Sequence, residues 1–188
     1  MAEVSGREFL GLLRHIKEQG GSELLKAILE DAGDVTRKIF SKRLLALSWY
    51  PYQGYVDLLK AMDRKLGVGD LEYCWKMGEI AARIDLNSFL NVYKISGDVE
   101  DMIKSANMVW PGYYRNAGTM QVISSKPENT VIHILDFPEM DPAHCRLMEG
   151  WISSAVIVLG GKLIQPAKEV ECMSRGGPYH EFVLGYSK

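Results

Sequence analysis

The chain is 188 residues long, 47% hydrophobic and 10% aromatic, enough for one domain with one core and too apolar for a disordered segment. Its 22 basic and 24 acidic residues leave a formal charge of −2, which excludes nucleic-acid binding driven by bulk charge. Three cysteines make no disulfide framework and point to a reducing, cytoplasmic setting, and the longest apolar run, residues 152–159, falls far short of the ~20 residues of a membrane span.

The first half reads as helical. Phe9, Leu10, Leu12, Leu13 and Ile16 recur at three- and four-residue spacing over residues 7–18, a pattern that Gly20-Gly21 ends. Ser22 then caps a short helix carrying Leu24, Leu25, Ile28 and Leu29. Residues 34–50 are ambiguous. Pro51 restarts the chain, and helices follow over 52–66, closed by Gly67 and Gly69, over 71–84, 87–95 and 98–109, the last capped by Asp98 and ended by Pro111-Gly112.

From Gly118 the character changes. Two β-branched runs flank Ser125-Lys126-Pro127-Glu128-Asn129 and predict a hairpin with a loop of about five residues. Pro142 opens an apolar helix over 143–159, stopped by Gly160-Gly161, and a second hairpin, 167–174 with 179–186, turns at Gly176. The order implies a single α+β domain in which a helical arm, 1–69, precedes a core, 70–188, whose antiparallel sheet of about four strands comes from two hairpins separated by the apolar helix.

The last hairpin has a register that can be worked out. A turn centred on Gly176 sets Cys172 opposite His180 and Val170 opposite Phe182; His180, Phe182, Leu184 and Tyr186 then share the core side. Glu171 faces Glu181 on the other side, which must be wet or bound to a cation. Thiolate and imidazole are good zinc ligands, and a third comes from Cys145 or from Glu149 one turn along the apolar helix. Burial for packing alone is the simpler account of both cysteines, and a Cys172/His180 nucleophilic pair is a further chemical option. His144 and Cys145 are helix neighbours whose side chains diverge, so they form no pair.

Asp98, Glu100 and Asp101, and likewise Asp136, Glu139 and Asp141, precede or open helices, where capping and the helix dipole account for them. Aromatics gather at Trp49-Tyr50-Pro51-Tyr52 with Tyr55 and at Trp110-Pro111-Gly112-Tyr113-Tyr114; both suit core packing or the wall of a pocket. Trp110, Tyr114, Met148, Trp151, Ile152 and Phe182 are the expected lining of an apolar pocket between the apolar helix and the sheet.

The run CRLMEGWISSAVIVLGG with KEVECMSRGGPYHEFVLGY resembles 4-vinyl reductase-type small-molecule-binding domains, and LEYCWKMGEIAARI through MVWPGYYRNAGTMQVI is similar to a paralogous family of myxobacterial and other bacterial proteins. The resemblance covers residues 70–186 and extends to a superfamily that includes haem nitric-oxide-binding domains and TRAPP tethering subunits. It implies a homodimeric, non-catalytic sensor that encloses an apolar or aromatic molecule and signals through a partner. It also implies zinc held near the last hairpin, where Cys172 matches one cysteine position and His180 stands at the other. The Tyr-x-Ser-x-Arg pattern of the haem branch is missing. A zinc- or thiol-dependent enzyme using Cys172 and His180, and an assembly scaffold, are the alternatives.

Overall fold

A computed structural model describes residues 1–88, 90–96 and 99–187. Strand β1 (Glu3–Ser5) leads into α1 (Gly6–Asp31) and α2 (Asp34–Phe40); β2 (Trp49–Pro51) leads into α3 (Tyr52–Leu66) and α4 (Glu72–Leu86). Three short helices follow, α5 (Asn91–Ser96), α6 (Val99–Lys104) and α7 (Ala106–Val109), then a 3-10 turn at Trp110–Gly112. The rest is β3 (Tyr114–Arg115), β4 (Thr119–Lys126), β5 (Asn129–Leu135), α8 (Pro142–Val158), β6 (Lys162–Glu171) and β7 (His180–Ser187). The α+β class, with helices first and an antiparallel four-stranded sheet after them, is as the sequence implies. Its strand order is β4-β5-β7-β6, and a second antiparallel sheet, β2-β1-β3, arises from residues the periodicity left unassigned. No helix among the described residues is long and apolar enough to cross a membrane.

Several local expectations meet refinements. Gly20-Gly21 breaks α1 into two helical segments, and Gly21, at φ 64° and ψ −151°, sits in backbone space that essentially only glycine enters. The first hairpin turns in two residues rather than five, because Lys126 already pairs with Asn129, and a bulge at Ile123 absorbs the odd residue. The stretch expected as one helix over 98–109 breaks at Ser105, whose hydroxyl bonds back to the carbonyls of Asp101 and Met102; the Asp98 cap lies outside the described residues. Asp141 caps α8 as read, accepting from the Ala143 amide at 2.9 Å while pairing with Lys60 at 2.6 Å.

One core runs from Ala2 to Tyr186 and takes in side chains of both halves of the chain. Helix α8 lies against α4 and strand β6, and its crossing with α4 is backbone on backbone. A Cβ at Gly78 would come to 1.9 Å from the Leu147 carbonyl oxygen, and one at Gly150 to 1.9 Å from that of Trp75. Helix α4 starts from Leu71, at φ 69°, and its cap comes from outside: Asp63, 1% exposed, accepts from the amides of Leu71 at 2.9 Å and Tyr73 at 3.0 Å. Replacing Asp63 with alanine leaves two buried donors unpaired and is expected to cost about 2–4 kcal/mol. Urea unfolding checks this, and a midpoint within error of the parent would contradict it.

Candidate functional site

Two arrangements meet on α8. Leu147, Met148, Trp151 and Ile152 recur at helical spacing and form one wall of an apolar cavity of about 70 Å³. Met102 and Ile103 of α6, Trp110 and Tyr114 form the facing walls, with Met120 of β4 and Ile132 of β5 below. Five of the six expected lining residues, Trp110, Tyr114, Met148, Trp151 and Ile152, are therefore on it. Phe182 is not: it sits fully buried across from Ile132 and Glu169, inside the sheet's packing and away from the cavity. Glu8 of α1 also reaches the wall.

Above the cavity His144 is wedged between phenols, its Nε2 at 2.9 Å from the Tyr114 hydroxyl and its Nδ1 at 3.1 Å from that of Tyr52. Burial, then the nearby His180, pushes its pKa down to about 3, so a neutral ring accepts from one tyrosine and donates to the other. Burial likewise raises Tyr114 well above the ordinary phenol range.

The next residue points elsewhere, as the helix geometry requires. Cys145 Sγ lies 3.6 Å from His180 Nδ1, which lies 2.9 Å from Glu169 Oε1. With Cys172 these give four donor atoms, all within 4.8 Å of one another and all buried. The structure thus brings Cys145, Cys172 and His180 together and adds a residue that the sequence reading missed. The sum-of-352 register holds at Glu171 opposite Glu181, but a bulge at Val170 shifts it, so that Glu169 rather than Val170 opposes Phe182. Val170 is 54% exposed, and Glu169 turns inward. Glu149, the alternative third ligand, is instead bonded to Arg146 and the Glu169 amide. On the outer face Glu181 meets His133 at 2.6 Å, so a partner relieves the carboxylate repulsion there.

The cluster's carboxyl and thiol are shifted in opposite directions. Burial alone would raise the Glu169 carboxyl, yet hydrogen bonds from His180, Cys145 and Cys172 outweigh it and hold the carboxyl below its ordinary range. Burial and the adjoining Glu169 push the Cys145 thiol far up, so an uncompensated thiolate is disfavoured there. His180 Nδ1 donates to Glu169 at 2.9 Å and its Nε2 lies 3.2 Å from the Phe137 carbonyl, which fixes the ring so that Nδ1 faces the carboxylate and thiols; a metal ion held there would take the place of the Nδ1 proton. A tetrahedral zinc with bonds of 2.0–2.3 Å needs ligand atoms about 3.3–3.8 Å apart; Cys145 and His180 at 3.6 Å have that spacing, whereas His180 and Glu169 at 2.9 Å would have to part by a few tenths of an ångström.

No protein-family model matches the chain, and no curated protein is similar in sequence. Solved structures are. The Fe(II) unliganded H-NOX protein of K. algicida superposes at TM-score 0.71 with 11% identity, covering 98% of this chain and 97% of that one. The S. oneidensis H-NOX protein in its Fe(II)NO state gives TM-score 0.72 and 12% identity over 98% and 99%. The chain has the H-NOX fold. A further match, the Shewanella woodyi H-NOX in the Fe(II)CO state, gives TM-score 0.66 and 13% identity over 96% and 93%.

The H-NOX fold implies haem, and the residues here do not fit it. A cavity of about 70 Å³ is well below the 300 Å³ or more of a cofactor-sized pocket. Neither histidine nor cysteine lines it among the described residues. His15, His133, His144 and His180, the four histidines of the chain, are engaged with Tyr73, Glu181, the two phenols and Glu169 respectively. What remains at the wall is thioether, protonated phenol and the Glu8 carboxyl, without the histidine or cysteine thiolate that holds the iron of globins, peroxidases and P450s.

Proposed function

We propose that this chain is a non-catalytic sensor domain that encloses a small apolar or aromatic molecule, rather than a haem, in the cavity beneath α8. The observation that carries this reading is the cavity itself: it is almost wholly apolar, walled by aromatic and methionine side chains, and has neither histidine nor cysteine on its wall among the described residues. At about 70 Å³ it is smaller than the roughly 150 Å³ apolar cavity that takes benzene, so it holds a few heavy atoms as it stands, and a larger ligand displaces the α6–α7 wall. The kinship with 4-vinyl reductase-type domains read from residues 70–186 supports an organic ligand, and action as a homodimer through a signalling partner completes the reading. Mass spectrometry of purified protein should detect a co-purified apolar molecule. Ala106→Leu, which fills the cavity from α7, should abolish that species while leaving the melting temperature unchanged or higher; retention of the molecule in this variant would refute the assignment.

The second arrangement favours a structural zinc ion at Cys145, Glu169, Cys172 and His180. Four buried donors close the coordination shell, whereas a catalytic zinc keeps one position open. The same burial argues against a thiol enzyme, since a reactive cysteine is partly exposed and Cys172 is buried. Zinc there would tie the β6–β7 hairpin to α8.

A further inference from the structure

Between α1 and α4 lies a second and larger cavity, of about 290 Å³. It exists because the facing residues are small. Gly11 and Ala81 line it, and a Cβ built at Gly11 would meet nothing within 4 Å. Most of the remaining wall is apolar, with Leu12 on one helix and Met77, Ile80 and Ile84 on the other. A mostly apolar hollow near 300 Å³ with a few polar groups has the make-up of a small-molecule site. Its polar groups include two carboxyls, Glu8 of α1 and Asp85 of α4.

We propose that this cleft binds a small organic cation, a primary amine on an apolar or aromatic body, with its ammonium group between Glu8 and Asp85 and its body along Met77, Ile80 and Ile84. The two cavities share Glu8, and Ala81 and Ala106, each of which lines one of them alone, separate the two in the test.

The sign of the charge follows from where the lining charges are spent. Two arginines also face the cleft. Arg7 is held at one end, where Nη2 donates to the Gly112 carbonyl at 2.8 Å and its guanidinium lies 5.9 Å from the centre of the Tyr113 ring, and its charge favours the ionised forms of both Glu8 and Asp85, so one positive charge faces two carboxyls. Arg14 is exposed, where water screens its charge. His15 is bonded to the Tyr73 hydroxyl at 2.8 Å, and burial lowers its pKa. The carboxyls are less well served. Asp85, 8% exposed, accepts from Trp151 Nε1 at 2.9 Å and from the Tyr113 hydroxyl, both neutral donors, and Glu8 has the Tyr55 hydroxyl at 3.4 Å, beyond an ordinary hydrogen bond. An ammonium between them would gain two charge-assisted hydrogen bonds and relieve their mutual repulsion; a carboxylate ligand would add to it.

Proton linkage sharpens the test. The groups that face Glu8 are Arg7, Arg14 and His15 from its own helix, Tyr55 from α3, Asp85 from α4, and Tyr113 and Tyr114. Burial first and Asp85 second push Glu8 up to about 8, against Tyr55 and Arg7. Below that pH an ammonium must displace a proton. Its affinity therefore rises with pH from about 6 to 8, by up to about tenfold per unit, while a neutral ligand shows no such slope.

Isothermal titration of the full chain with phenethylamine, phenethyl alcohol and phenylacetate tests this. Saturable binding is expected for the amine, weaker by about tenfold or more for the alcohol, and absent for phenylacetate. Glu8→Gln and Asp85→Asn should each weaken the amine by about tenfold, and Glu8→Gln should remove the pH slope. Ala81→Leu fills the cleft with a good helix former and should abolish binding in a folded protein, whereas Ala106→Leu, in the first cavity, should not affect it. If either carboxyl variant fails to fold, the ligand series and Ala81→Leu decide the matter. The proposal is overturned by equal affinity for the alcohol or phenylacetate, by an affinity flat across pH 6 to 8, by no saturable amine binding, or by unchanged binding in Ala81→Leu.

Discussion

Gly78→Ala is expected to destabilise the protein by about 2–4 kcal/mol, although alanine is the better helix former by about 1 kcal/mol. The steric term wins because the added methyl group would sit 1.9 Å from the Leu147 carbonyl oxygen and 2.6 Å from the Trp151 amide nitrogen, atoms of a backbone that cannot rotate away. The helices must part by more than an ångström, and the loss of packing along α4 and α8 outweighs the propensity gain. Gly150→Ala meets Trp75 in the same way, so the double variant should cost less than the sum of the singles, since one separation relieves both clashes. Chemical denaturation reads this directly. A parent-like midpoint for Gly78→Ala would mean that the helices are not in backbone contact, and the positions of Cys145 and Trp151 that follow from that crossing would be wrong.

Removing zinc should have an effect of the same order or larger. Protein purified without a polyhistidine tag is expected to carry one zinc per chain. Metal at a thousandfold excess over its dissociation constant adds about 4 kcal/mol. For a chain of this length a chelator should then lower the melting temperature by about 8–16 °C. Cys145→Ser, Cys172→Ser and His180→Ala should each lose the metal and mimic the chelator. Glu169→Gln should weaken zinc, whereas Glu149→Gln, whose carboxylate is engaged by Arg146, should leave the zinc content unchanged. Metal-free protein whose melting ignores the chelator would return the cysteines to plain packing.

What could be read from the residues divides by the kind of signal. Helices over 52–66, 72–86 and 142–158 carry long apolar periodicity with glycine or proline at their ends, and their limits lie within about two residues of expectation. Strands β1, β2 and β3 have two or three residues each and are specified by pairing between distant segments, such as Val4 with Tyr50 and Tyr114, so no local pattern announces them.

The site shows the same division. Met148, Trp151 and Ile152 were legible because one helical face carries them, and Cys172 and His180 because a hairpin turn fixes their facing. Phe182 failed as a lining residue because inward on a sheet means core, and only the helices opposite decide where the core is hollow. Glu169 was missed because alternation favours Val170 inward; the opposing signal was that a buried imidazole next to thiols needs a strong acceptor, and Glu169 is one of the two carboxylates in β6 near enough to supply it. The close crossing at Gly78 and Gly150 left no local mark, since a helical glycine reads only as a weak position.

The most direct test of the ligand reading is a methyl NMR titration of methionine- and isoleucine-labelled protein with dissolved xenon. The account predicts saturable shifts at Met102, Met120, Met148, Ile103, Ile132 and Ile152 that Ala106→Leu abolishes, while any shifts at Met77, Ile80 and Ile84 of the second cavity persist in that variant. Shifts spread over the surface methyls, or none at all, would contradict it.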